Sequence, residues 1–282
     1  MRIIEKIKDM QELADTYREQ RKTIGFVPTM GALHDGHLKL VHRAHKKSDI
    51  VVVSIFVNPL QFGPKEDYKV YPRNFKKDCV LLEKQKVDIV FSPSVKEMYS
   101  VDFSTYIHEN QISVPLCSKS RPGHFNGVAT VLIKLFSAVK PHFVFMGQKD
   151  AQQVLLTERL VRDFNLDINV ITLPIIRDKN GLALSSRNQF LTDEGRSDAL
   201  ALYEALTFAK IQIALGQTEV KRIVNKMKKI IETKASIRLD YIEILSYPNL
   251  MPLQEIDRKV IIAIAAWANG VRLIDNMIVD IK

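Results

Sequence analysis

Cysteine is scarce in this chain of 282 residues. The two present, Cys79 and Cys117, are too few for a disulfide framework or a cysteine-built zinc site. Long apolar runs are missing as well. The longest, Ile50–Val57 and Val260–Ala268, fall far short of the ~20 residues that a membrane-spanning helix needs. The first residues, Met1-Arg-Ile-Ile-Glu-Lys-Ile-Lys-Asp, interrupt their apolar positions with charge, unlike a signal peptide. There is no basic tail, internal repeat or low-complexity segment. A composition of 46% hydrophobic and 26% charged residues is that of an ordinary globular protein and excludes a collagen, a coiled coil or a disordered chain. The expected location is the cytoplasm. Lys and Arg number 41 against 32 Asp and Glu, a net charge of +9. That surplus suggests an anionic partner without choosing among nucleic acid, membrane surface and small phosphates. The densest basic runs, Arg43–Lys47 and Lys226–Lys229, fall on predicted helices and read as solvated faces.

From Thr23 to Leu173 short apolar runs alternate with helical patterns. Strands are expected at Ile24–Pro28, Ile50–Phe56, Asp88–Phe91, His142–Met146 and Ile168–Leu173. Helices are expected at Gly36–Lys47, Asn74–Lys86, Val128–Val139 and Ala151–Phe164. The run Ile50-Val-Val-Val-Ser-Ile-Phe is β-branched and continuously apolar, as a strand buried on both faces should be. Strand and helix in alternation imply an α/β fold, a Rossmann-like doubly wound parallel sheet with its ligand crevice at the carboxyl ends of the strands. After Pro174 the pattern changes to a loop, Arg177–Gln189, and two helices, Asp193–Leu215 and Glu219–Lys234. Strands at Leu239–Leu245, Val260–Trp267 and Val271–Val279 follow, with Asn269-Gly270 as a two-residue hairpin signal. Two domains are expected, residues 1–175 and a smaller α+β domain, 176–282.

Five segments could carry chemistry. Pro28-Thr-Met-Gly-Ala-Leu-His-Asp-Gly-His37 joins the first of these strands to its crossover helix, where unpaired backbone N–H groups suit a phosphate. His34 and His37 could donate to its oxygens, and Gly31 and Gly36 would admit a close backbone approach. The glycine spacing is that of a P-loop, but His37-Leu38 replaces the Lys-Ser/Thr pair and that reading fails. A zinc site recruiting His42 and His45 would stretch about 12 Å along the helix at ~1.5 Å per residue, without a cysteine or carboxylate at ligand spacing. Phe56-Val-Asn-Pro-Leu-Gln-Phe62 places two neutral amides, Asn58 and Gln61, at the next strand end. Arg121-Pro-Gly-His-Phe-Asn-Gly127 reads equally as an anion-facing loop or an ordinary turn before a helix. Gly147-Gln-Lys-Asp150 leads to Gln153 one helical turn on; Lys149 offers a point charge and Asp150 a helix cap or ribose acceptor. Gly181-Leu-Ala-Leu-Ser-Ser-Arg187 has two hydroxyls and a guanidinium suited to clamping phosphate.

These segments, with Tyr71-Pro-Arg73 and Arg272-Leu-Ile-Asp-Asn276, resemble the pantothenate synthetases (pantoate–β-alanine ligases) over nearly the whole chain. His-x-Gly-His alone would place it only in the wider nucleotidylyl-transferase superfamily. Met146 and Ser118 stand where that family usually has Phe and commonly has Gly. The resemblance implies ATP-dependent ligation of pantoate to β-alanine through pantoyl adenylate, releasing pyrophosphate and AMP. It implies Mg²⁺ arriving with ATP, no protein metal site, and a homodimer.

By the same resemblance His37, His34, Lys149 and Arg187 carry catalysis, with His37 the proton donor. ATP is held by Met30, Gly31, Ala32, Leu33, His34, Asp35, Gly36 and His37, and by Gly147, Gln148, Lys149 and Asp150. Ile176 and Leu184 bracket adenine, and Ser185, Ser186 and Arg187 close over the phosphates, so that the C-terminal domain covers the ATP site. Gln61 and Gln153 bind pantoate, Gln61 also meets β-alanine, and Asn58 and His124 support them. Two alternatives stand against this. A relative that joins AMP to a phosphate would want a cationic acceptor site in place of Gln61 and Gln153. A nucleic-acid binder would want concentrated charge with interleaved aromatics, and the charge here is dispersed. Neither nucleic acid nor membrane is expected as a partner.

Overall fold

The computed structural model describes residues 1–64 and 66–281. The chain gathers into two compact units. The first comprises Met1–Glu109, Arg121–Gln148 and Gln152–Pro174, the second Asn110–Ser120, Lys149–Ala151 and the chain from Ile175 onward.

The first unit is a six-stranded sheet of β1 (Arg2–Ile4), β2 (Ile24–Thr29), β3 (Ile50–Ile55), β4 (Ile89–Phe91), β5 (Phe143–Gly147) and β6 (Asn169–Leu173). Their order is β1-β4-β3-β2-β5-β6, and every pair is parallel. The helices are α1 (Ile7–Glu19), α2 (Asp35–His45), α3 (Phe75–Lys84), α4 (Val95–Met98), α5 (His124–Val139) and α6 (Ala151–Asp163). The doubly wound α/β expectation holds. As its apolar run requires, β3 is buried on both faces from Ile50 to Ser54. Val41 and Ala44 of α2 and Leu82 of α3 join Val27, Val51, Val53, Val90 and Phe145 in one core.

Three elements escaped sequence reading: β1, α1 and the four-residue α4. Only three residues long and mostly exposed, β1 is an edge strand, and α1 buries just Met10 and Ala14 among charges. Helix α5 starts at His124 rather than Val128, because Gly127 is a packing glycine within the helix and not a turn.

The strand order reverses at β2, whose neighbours are β3 and β5. The β2–β5 ladder registers only Gly25 with Phe143 and Phe26 with Val144, although both strands continue to Thr29 and Gly147. The two carboxyl ends therefore run on without ladder bonds to each other, while β3 and β6 still pair with them on their outer sides. Such a switch point is where open α/β sheets bind ligands.

The second unit holds α7 (Asp193–Asp198), α8 (Leu200–Ala214), α9 (Val220–Glu232) and an antiparallel sheet of β7 (Ile237–Ser246), β8 (Val260–Ala268) and β9 (Val271–Val279). Asn269 and Gly270 turn the β8–β9 hairpin at φ of 46° and 82°, the left-handed pair that Asn-Gly favours. Ile223, Met227 and Ile231 line one stripe of α9 and share a core with Ile242, Ile244, Ile262 and Ile264. The single helix expected over Asp193–Leu215 breaks at Ala199. The break lies beside Asp198, whose carboxylate accepts the Ser236 N–H and hydroxyl at 3.2 and 2.8 Å, a long-range contact that spacing does not reveal. Segment 110–120 is tied to this sheet by Lys119 with Glu243 (2.7 Å) and by Ser120 with Asp240 (3.0 Å).

Candidate active site

At the end of β2, Thr29 Oγ1 donates to the Ser54 carbonyl at 2.6 Å and accepts the Gly31 N–H at 3.2 Å. The backbone then turns through two left-handed residues, Gly31 at φ 82° and Ala32 at φ 50°. Asp78 of α3 holds this turn: its two oxygens accept the Ala32 and Leu33 N–H groups at 2.9 and 2.8 Å. Leu33 is thereby seated in the core, and the next residue, His34, begins α2 as its N-cap.

The two histidines cap that helix reciprocally. His34 Nδ1 accepts the Gly36 N–H at 3.1 Å, and His37 Nδ1 accepts the His34 N–H at 3.3 Å. A backbone N–H can only donate, so both Nδ1 atoms are acceptors and both neutral rings carry their proton on Nε2. The ring centroids lie 4.1 Å apart. Gly36 is dictated by the same geometry, since a Cβ there would sit 2.8 Å from His34 Cε1. His-x-Gly-His thus orients two N–H donors at a helix N-terminus, where the dipole already favours an anion.

In the next loop Asn58 is fully committed. Its Oδ1 accepts from Leu60 N–H (3.2 Å) and Tyr99 OH (2.7 Å), while Nδ2 donates to Gln61 Oε1 (3.2 Å) and the Gly127 carbonyl (3.0 Å). That exhausts an amide's two donors and two lone pairs. Burial pushes the Tyr99 phenol well above its ordinary value, so it stays a neutral donor to Asn58. Gln61 is held the right way round as a result, with Nε2 directed at Met30 Sδ 2.9 Å away. A thioether is a weak acceptor, so this is the weakest bond of the set.

His124 Nδ1 donates to the Gln61 carbonyl at 2.7 Å, which requires the Nδ1–H tautomer and leaves Nε2 to accept from Arg121 at 3.1 Å. Arg121 also forks onto Glu66, with Nε 3.0 Å from Oε1 and a second contact from NH2 to Oε2. Its charge is thus neutralised internally, which favours the structural reading of that loop over an anion-facing one. Gln153 lies half-buried in the first turns of α6, and Asp35 is exposed in the first turn of α2.

In the second unit, the chain folds back so that Leu184 N–H donates to the Ile176 carbonyl at 2.9 Å, with Arg177 opposite Ala183. Arg177 fixes this loop. Its guanidinium grips Asp275 in two parallel bonds of 2.6 and 2.9 Å, donates to the Gly181 carbonyl, and stacks 4.0 Å from the centre of the Tyr203 ring. Ser185 caps the turn Ser186–Phe190 by accepting the Arg187 N–H at 3.3 Å. Lys149 and Ser185 line one small cleft together with Ala183, Tyr203 and Asp275. Asn276 Nδ2 holds the Lys149 carbonyl at 3.0 Å, and Lys149 Nζ lies 3.5 Å from Asp150 Oδ1.

The roles of Arg272-Leu-Ile-Asp-Asn276 are therefore separable. Arg272 pairs with Asp240 at 2.8 Å, Asp275 fixes Arg177, and Asn276 fixes Lys149. Of the two atypical positions, Met146 is buried in β5, and the Ser118 hydroxyl bonds the Ser113 carbonyl.

Within the first unit, the structure joins Met30, Gln61, Asn58 and His124 in one hydrogen-bonded set and pairs His34 with His37. Within the second, it gathers Lys149 with Ser185, and Ile176 with Leu184. Sequence reading missed Asp78, Glu66, Tyr99 and Arg177, all of which act through partners distant in the chain.

A sequence model of the pantoate–β-alanine ligase family matches residues 2–278. The chain belongs to that family. It is 54% identical over 278 residues to a pantothenate synthetase of Thermotoga neapolitana, covering 99% of both chains. It is 53% identical over 279 residues to that of Thermosipho africanus, covering 99% of this chain and all of the other. Among solved structures, a pantothenate synthetase of Thermus thermophilus superposes with a TM-score of 0.92 at 39% identity, covering 98% of this chain and 99% of that one. A pantoate–β-alanine ligase of Francisella tularensis, complexed with β-γ ATP and β-alanine, gives a TM-score of 0.81 at 36% identity over 98% and 97% of the two chains. Among the described residues no helix is long and apolar enough to cross a membrane.

Proposed function

We propose that this pantoate–β-alanine ligase family member joins pantoate to β-alanine at the expense of ATP. The observation that carries the reading is the reciprocal His34–His37 cap, which uses both Nδ1 atoms as acceptors and leaves the ring protons on Nε2 at the N-terminus of α2. A free carboxylate has no good leaving group. In the first step a pantoate carboxylate oxygen attacks the α-phosphorus of ATP, and pyrophosphate departs. In the second the β-alanine amine attacks the acyl carbon of pantoyl adenylate. The C–O bond breaks, AMP leaves with that oxygen, and the nitrogen loses a proton.

The chain's part is positioning and electrostatic stabilisation of charge-rich phosphate oxygens. His37 and His34 donate hydrogen bonds from Nε2 to those oxygens as charge develops. With Nδ1 already held as an acceptor, His37 acts as a hydrogen-bond donor and keeps its proton. Met30 to His37 line the nucleotide with backbone, and Gly147 to Asp150 hold ribose and phosphate, with Lys149 as the point charge. Ser185, Ser186 and Arg187 add donors. Leu184 N–H is already spent on Ile176, so contacts to adenine would come from the Ile176 N–H and the Leu184 carbonyl. Gln61 turns its Nε2 from Met30 Sδ to pantoate, and Gln153 completes that contact. Asn58 and His124 hold Gln61 from behind. Mg²⁺ would be held chiefly by the phosphate oxygens of ATP, which suit this ion without a protein cage, and would offset their charge. A homodimer in the cytoplasm completes the reading, with sedimentation equilibrium and cell fractionation as its checks.

Pyrophosphate release measured with ATP and pantoate tests the reading. A stoichiometric burst is expected without β-alanine and continuous turnover with it. Release that ignores pantoate would overturn the proposal, and salt-sensitive oligonucleotide binding in its place would favour the nucleic-acid alternative.

A further inference from the structure

We propose that Asp78 is a positioning residue for adenylation, acting through the Ala32 and Leu33 amides on His34 and His37. This rests on the reading of that loop as the phosphate-binding one. Asp78 lies in the first turn of α3 and is 2% exposed, although it carries a carboxylate. A buried carboxylate persists only where it is well satisfied, and here two consecutive backbone N–H groups meet its two oxygens at 2.9 and 2.8 Å. Those amides belong to the turn in which Gly31 and Ala32 both take left-handed φ, a conformation that Ala does not adopt by preference. The carboxylate also leaves little room for a side chain at Gly31, where a Cβ would lie 3.0 Å from Asp78 Oδ2. Immediately after the clamped Leu33 comes His34, the N-cap whose backbone N–H orients the His37 ring at 3.3 Å. One carboxylate therefore sets where α2 starts and where both Nε2–H groups point.

Asp78→Asn keeps the volume but has a single oxygen, so an amide N–H must face one of the loop N–H groups. A displacement of about 1 Å in a reacting group can cost ~10²-fold. The expected result is an ~10²-fold fall in single-turnover pyrophosphate release with saturating ATP and pantoate. Placed in a His37→Ala background, the same substitution should cost less than about threefold more, because residues that act as a unit are not additive. A purely structural Asp78 would lose the same factor in both backgrounds. That outcome, or near-parental release by Asp78→Asn while His37→Ala is impaired, overturns the proposal. If His37→Ala itself keeps parental release, it is the reading of the loop that fails. The unmutated protein provides a test that survives misfolding of the variant. The Ala32 and Leu33 amides, outside any helix or strand, should be strongly protected from hydrogen exchange. Exchange at free-loop rates would overturn the clamp.

Discussion

Replacing His37 with Ala is expected to cut pantoate-dependent pyrophosphate release by about 10²–10³-fold, the usual cost of one preorganised donor to a transition-state oxyanion. The substitution removes two things together. The Nε2–H is lost as a donor, and so is the Nδ1 acceptor that holds the His34 N–H at 3.3 Å, which loosens the cap on α2. Lys149→Ala is expected to fall in the same range, since its ammonium is the proposed point charge on phosphate and its backbone is already fixed by Asn276. Rapid-quench measurement of the first turnover checks both. Near-parental rates in the two variants would mean that the phosphate site has been placed on the wrong loops.

The second large effect lies at a glycine. Gly127 sits inside α5, where an added Cβ would lie 2.2 Å from the Leu60 carbonyl oxygen and 2.7 Å from the Gln61 nitrogen. Both neighbours are backbone, so no rotamer change can relieve the clash. In Gly127→Ala the turn Pro59–Gln61 must move, and with it the bond from Asn58 to the Gly127 carbonyl that orients Gln61. Overpacking of this kind costs about 3 kcal/mol. Urea unfolding should report a loss of that order. Steady-state kinetics should show KM for pantoate raised about tenfold or more, with KM for ATP changed far less. Parental values of both KM and midpoint would show that the close approach does not govern the pantoate contact.

How much of this was legible in the sequence follows from the range of the interactions. The apolar β-branched run of β3 and the Asn269-Gly270 turn are local signals, and both formed as expected. His-x-Gly-His was visible as a motif at a strand-to-helix junction. Its internal logic, a glycine required by a folded-over imidazole, needed coordinates. Asp78 is 46 residues from its amide partner, Glu66 is 55 from Arg121 and Asp275 is 98 from Arg177. None of these pairs leaves a periodicity, so the second half of each remained hidden. Arg121 shows the consequence. As an isolated cation it looked available to an anion, and only Glu66 reveals that its charge is spent. The helix expected over Asp193–Leu215 is interrupted only at Ala199, beside Asp198, which is turned to a partner 38 residues on.

Oxygen labelling tests most directly whether the pantoate carboxylate is activated by transfer of AMP. With pantoate carrying ¹⁸O in its carboxylate, one turnover in the presence of ATP and β-alanine should place one ¹⁸O in the AMP released and none in pyrophosphate. Label in inorganic phosphate or pyrophosphate, or unlabelled AMP, would contradict the proposed attack on the α-phosphorus.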